Sequence, residues 1–120
     1  MRWIVKFCDE FESEFSALNQ LVQDELLAHA QVVREFGPAL GRPRVDTVKG
    51  SRYANMKELR FDAANGVWRV AFIFDPAREA ILLVAGDKLG ANQRKFYETL
   101  IRRADNRYAN YLTRLNNERR

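Results

Sequence analysis

The sequence predicts an α+β domain in which a small antiparallel meander of about four strands carries an N-terminal helix or helix pair and a C-terminal helix. Three observations lead there. Residues 56–88, MKELRFDAANGVWRVAFIFDPAREAILLVAGDK, divide at the turn-rich DAANG and DPARE into three strand-like pieces. On either side of that block, apolar residues recur every three or four positions, the period of a helix. The 120 residues are 47% hydrophobic and 12% aromatic, which suits one core and is too short for two. Residues 1–120 are therefore read as a single domain.

Each element follows in order. Trp3–Cys8 alternates Trp3, Val5 and Phe7 against Ile4, Lys6 and Cys8, a first strand expected to join the same sheet. Asp9 with Glu12 three residues on is a variant of the helix-start pattern. From Phe11 through Phe15, Leu18, Val22, Leu26 and Ala30 to Val33, an apolar stripe runs at helical spacing. A break is expected near Ala17–Asn19, and Gly37-Pro38 ends the run. Leu40–Asn55 reads as one long irregular segment rich in basic residues, anchored by Val48 and Tyr53. Connections of that length are uncommon in compact domains and often functional. After the meander, Asn92 is a candidate N-cap. Tyr97, Ile101, Ala104, Tyr108, Leu112 and Leu115 then mark a last helix, expected to reach about Leu115. The helices are expected on the apolar face of the sheet, which carries Leu59, Phe61, Trp68, Val70, Phe72 and Phe74.

Charge is unevenly spread. The net is +4, yet residues 1–41 hold three basic and seven acidic side chains, residues 42–60 six and two, and residues 91–120 eight and three. A fold that gathers the basic zones presents a positive surface to a polyanion. Several classes fall away. With one His (His29) and one Cys (Cys8), a common zinc site cannot be assembled, and no metal or other cofactor is expected. No Walker A loop or dinucleotide-binding fingerprint is present. The single cysteine fits a reducing compartment, and neither a signal-like apolar run nor a membrane-length segment is visible, so a cytoplasmic protein that does not enter membranes is expected.

The chemistry concentrates on the other face of the meander. If Arg60 lies opposite Arg69 across the first hairpin, both point away from the apolar face, with Glu58 beside them. Lys88 ends the third strand, and Gly86 is read as leaving room for a ligand. The alternative is ordinary ion pairing, Arg60 with Glu58 or Asp62 and Arg69 with Asp87. Converging cations stabilise charge on phosphate oxygens. With no histidine in reach, Lys57, Lys88, Lys95 and Tyr97 are the candidates for proton transfer.

In the ordered set KELRF, GVWRVAFIF and ILLVAGDKL, followed by a basic helix containing Tyr97, the chain resembles the RelE/HigB superfamily of bacterial toxins, close to its phage-derived HigB-like branch. The resemblance covers most of the chain. It implies a ribosome-dependent mRNA endoribonuclease, the toxin of a type II toxin–antitoxin pair. Such a protein enters the 30S A site, cleaves messenger RNA by metal-independent attack of the 2′-hydroxyl, and is silenced by a helix-turn-helix, HigA-like antitoxin encoded beside it. Arg60, Arg69 and Lys88 then correspond to the family's phosphate and charge-stabilising cations, and Tyr97 to its stacking or acid/base aromatic. RNA would be held by Arg42, Arg44, Arg52, Lys57, Lys95, Arg102, Arg103 and Arg107. Met56 and Glu58 stand where relatives often carry lysines. The rival readings are a non-catalytic gyrase poison on the same fold and a plain nucleic-acid-binding module.

Overall fold

The first hairpin turn is the tight form that its sequence favours. The computed structural model describes residues 2–119. Ala64 and Asn65 both take positive φ (49° and 64°) between β3 (Met56–Ala63) and β4 (Gly66–Asp75), the geometry of a two-residue turn matched to strand twist. At the second turn the Asp75 carboxylate accepts from the Ala77 N–H, and Arg78 turns the chain with φ 61° into β5 (Glu79–Asp87). Hydrophobic alternation and these turns fix the register: Arg60 pairs with Arg69, and Phe61 with Trp68, as the sequence predicts.

Among the described residues the sheet has five strands. β1 (Ile4–Phe7) runs parallel to β5 at one edge, and β2 (Val45–Thr47) pairs antiparallel with β3 at the other, giving the order β1-β5-β4-β3-β2. β2 lies inside the segment read as irregular. Three residues are too few for alternation to register, but Val45 is buried and its pairing with Leu59 extends the meander.

The break in the N-terminal helical stretch falls where expected. α1 (Asp9–Ser16) starts from Cys8 rather than Asp9, and its acidic first turn of Asp9, Glu10 and Glu12 complements the helix dipole. Asn19 caps α2 (Gln20–Phe36) by accepting from the Leu21 N–H at 2.8 Å. Gly37, with φ 54°, ends α2 under the Trp3 indole, leaving no space for a β-carbon. α3 (Gln93–Glu118) begins at the predicted cap, Asn92, and continues three residues past Leu115.

Helices cover both faces of the sheet, not one. α2 packs on the apolar face, where His29 stacks on Phe61 at 5.1 Å. α3 lies across the face that carries Arg69 and Glu58, because Phe96, Leu100, Ala104 and Tyr108 give it an apolar stripe of its own. Phe96 fills the space over Gly86, whose β-carbon would meet that ring at 2.9 Å. That glycine serves close helix–sheet packing rather than ligand approach. α1 is tied to α3 by charge: Arg107 grips both oxygens of Glu14 at 2.7 Å, and Arg114 reaches Asp9 and Glu10. Among the described residues, no helix is long and apolar enough to cross a membrane.

Candidate active site

The β3–β4 register and the crossing of α3 bring Glu58, Arg60, Arg69, Lys88 and Tyr97 together. Glu58 and Arg69 are both buried, at 6% exposure. The Tyr97 hydroxyl donates to Glu58 Oε1 at 2.8 Å and accepts from Arg69 Nε at 3.3 Å. Arg69 Nε also lies 3.6 Å from Glu58 Oε1, while its Nη1 donates to the Trp68 carbonyl at 2.9 Å. An uncompensated charge here would be costly, and this bonding is what permits the burial.

The ion pairs differ from those the sequence suggests. Arg69 is paired with Glu58 rather than Asp87, whose carboxylate instead accepts from the backbone of Val67 and Leu89. Arg60, with 30% of its side chain exposed, has Asp46 of β2 at 3.7 Å, an acid that sequence spacing could not place beside it. Arg42 also binds Asp46, through Nε and Nη2 at 3.0 and 2.8 Å.

Lys88 Nζ sits 5.7 Å from the centre of the Tyr97 ring, a cation–π contact. Burial, with Arg69 and Arg60 nearby, pushes its ammonium below the ordinary lysine range. Burial and the Glu58 hydrogen bond push the Tyr97 hydroxyl above its ordinary value, so it keeps its proton at neutral pH. Arg60, Lys88, Tyr97 and Glu58 all line a cleft of about 340 Å3, whose further walls include Arg42, Asp46 and Gln93. It therefore offers the partly exposed cations Arg60 and Lys88, the exposed cations Arg42 and Lys49, and a neutral phenol hydrogen-bonded to a buried carboxylate, a combination able to bind an anion and move a proton.

The other basic candidates divide by position. Arg42 lines this cleft, and Arg44 is exposed on the strand-edge side of Arg60, whose N–H donates to the Arg44 carbonyl at 2.8 Å. Arg52 and Arg102 are exposed on the walls of an adjoining concavity. Lys95 and Arg103 face a separate groove beside Phe96. Lys57 has the opposite parity and donates to Thr47 at 2.9 Å, on the far side of the sheet from Arg60. Arg107, predicted to hold RNA, is held within the fold. Only 13% of its side chain is exposed, and its guanidinium is taken up by Glu14 and the Leu83 carbonyl. Cys8 is buried, with its thiol pushed up by desolvation. Sequence reasoning placed Glu58 on the correct face but saw only a surface ion pair; its parity with Arg60 and Arg69 was the available signal.

A mostly antiparallel sheet crossed by a long helix, with a cationic cleft between them, defines a small RelE-like domain. The model of the phage-derived Gp49-like family (DUF891) matches residues 13–109. Two Mycobacterium tuberculosis proteins that carry the toxin names HigB3 and HigB2 are each 44% identical, over 86% and 81% of this chain. The matched segments make up 88% of HigB3 but 48% of HigB2, so the chain spans about half the length of the latter. Among solved structures, a doubly arginine-substituted E. coli toxin RelE in the free state superposes with TM-score 0.61 at 12% identity, over 84% of this chain and 95% of that one. The chain belongs to the Gp49-like family and, with it, to the RelE/HigB superfamily that its central strands resemble.

Proposed function

We propose that this protein is the toxin of a type II toxin–antitoxin pair and acts as a ribosome-dependent mRNA endoribonuclease in the cytoplasm. The observation that carries the reading is the Tyr97–Glu58 hydrogen bond, opening onto the same cleft as Arg60 and Lys88. In this mechanism the 2′-hydroxyl of one nucleotide attacks the adjoining phosphorus, and the P–O5′ bond breaks to leave a 2′,3′-cyclic phosphate and a 5′-hydroxyl. Arg60 and Lys88 bind the non-bridging oxygens and stabilise the extra charge of the transition state. Tyr97, held protonated, turns its O–H from Glu58 to the departing 5′ oxygen and gives up its proton there, and the Glu58 carboxylate so freed accepts the proton released by the 2′-hydroxyl. Arg69 holds Glu58 and Tyr97 in place, a positioning role rather than the direct phosphate clamp that the resemblance implies. No metal enters the scheme.

HigB2 and HigB3 carry toxin names, and this supports the further proposal of a HigA-like helix-turn-helix antitoxin encoded beside this chain. Exposed Arg42, Arg44, Arg52 and Arg102 would contribute salt-dependent attraction to ribosomal RNA. Induced expression in a bacterial host, with growth followed alongside mRNA 5′-end mapping, tests the reading. Arrest with new 5′-hydroxyl ends inside translated codons supports it. Arrest without such ends points instead to gyrase poisoning, and no arrest leaves a binding module.

A further inference from the structure

Next to the cleft lies a second concavity, of about 1010 Å3, between residues 49–52 and the first four turns of α3. The two share Lys49, Gln93, Tyr97 and Ile101 as lining, so a strand held at Arg60 and Lys88 lies directly beside it. Its floor is apolar: Ile101 is half-buried, and Gly50 opposite has no side chain to obstruct it, with φ 92° and only the tip of Ile101 near the place of a β-carbon, at 3.9 Å. Amide side chains from α3, Gln93 and Asn106, stand exposed on the wall.

The loop wall is fixed in place. Asp105 is buried at 7% exposure and accepts from the Ser51 hydroxyl and from the Arg52 N–H at 3.1 Å, while Arg52 Nη2 reaches the Asp105 carbonyl at 3.5 Å. Ser51 Oγ in turn accepts from the Tyr53 N–H. On the rim, Arg94 pairs with Glu98 at 3.1 Å, and Lys49, Arg52 and Arg102 stand exposed beside them. An apolar floor, amide walls and a cationic rim match one ligand chemistry in particular: an unstacked nucleobase with its flanking phosphates.

We infer that this concavity seats a nucleotide adjoining the scissile phosphate, and that Ile101 and Asn106 help determine which base is accepted there. The inference rests on the endoribonuclease reading and adds a base-selecting subsite to it. The test maps 5′ ends genome-wide after induction of the wild-type chain and of Asn106→Ala and Ile101→Ala, and compares base frequencies at the two positions that flank each cut. Asn106 is exposed, so its substitution leaves the fold intact even if Ile101→Ala weakens it. The expected result is a biased flanking base in the wild type, with the bias reduced about two- to tenfold by Asn106→Ala, the worth of one net hydrogen bond. Cuts whose flanking bias is absent in the wild type, or unchanged in a folded Asn106→Ala chain, would overturn the subsite while leaving the nuclease reading intact. Arrest with no cuts at all would remove both.

Discussion

Replacing Arg69 by Ala separates a positioning role from a phosphate-binding one. In the folded protein the Glu58 carboxylate has two stabilising neighbours, the Tyr97 hydroxyl at 2.8 Å and the Arg69 Nε at 3.6 Å, and only 8% of its side chain is exposed. Arg69→Ala leaves a buried anion with one neutral hydrogen bond, and breaking a buried pair in this way costs about 3–5 kcal/mol. For a domain of this size that corresponds to a fall in Tm of roughly 10–20 °C. Thermal denaturation of purified chains followed by circular dichroism measures it. Combining Arg69→Ala with Glu58→Ala removes both charges, so the double variant should melt above the sum of the two single losses. If Arg69→Ala melts within roughly 2 °C of the wild type, the behaviour of an ordinary surface substitution, Arg69 is not holding Glu58. Its role would then return to direct phosphate contact.

Further outcomes follow from the same geometry. Arg60→Ala, at a partly exposed position, should leave Tm nearly unchanged while removing most growth arrest, as read from induced cultures and melting curves. Tyr97→Phe should slow mRNA cleavage about 10²- to 10⁴-fold, the usual worth of a positioned proton donor, with primer extension on an induced message as the measurement. If cationic Lys88 is required, activity should fall as pH rises through a pKa below the ordinary lysine value, and Lys88→Arg should move that alkaline limb upward in a pH–rate profile. Although burial opposes it, hydrogen bonds from Asn110 and Arg114 lower the Glu10 carboxyl from its ordinary 4.5 to about 2. Its stabilising contribution is therefore complete above pH 4.5 and lost as pH falls through about 2, so Glu10→Gln should flatten the acid limb of stability against pH in that window.

The central hairpin was legible because turn chemistry and alternation specify the same register. A slip of one residue would have exchanged Phe61 and Arg60 between the two faces and set a guanidinium against α2, so the Arg60–Arg69 pair could be read from sequence. β2 was not legible. Val45–Thr47 is three residues set among glycine, proline and arginine, and it becomes a strand only because β3 offers an edge. Nor could alternation reveal that α3 would cover the guanidinium face, since an isolated strand pattern gives two faces without saying what packs on each. Gly86 shows the consequence, for its missing side chain admits Phe96.

Charge zoning was legible only in part. The acidic first third does not stand apart from the basic last helix. Glu14 neutralises Arg107, and Asp9 with Glu10 neutralises Arg114, so the basic character that remains for a ligand lies toward the N-terminal half of α3 and on the segment before β3. Contacts between positions far apart in sequence, such as Ser51 with Asp105, had no sequence signal because each is an ordinary polar residue in its own segment.

Ribosome-dependent cleavage through the Arg60–Lys88–Tyr97 cleft is tested most directly by inducing the protein beside two copies of one reporter message, one translated and one with its start codon destroyed, and mapping 5′ ends on both. New ends are expected within codons of the translated copy, none on the untranslated copy, and none on either with Arg60→Ala. Equal cutting of the two copies, or undiminished cutting by a folded Arg60→Ala chain, would contradict it.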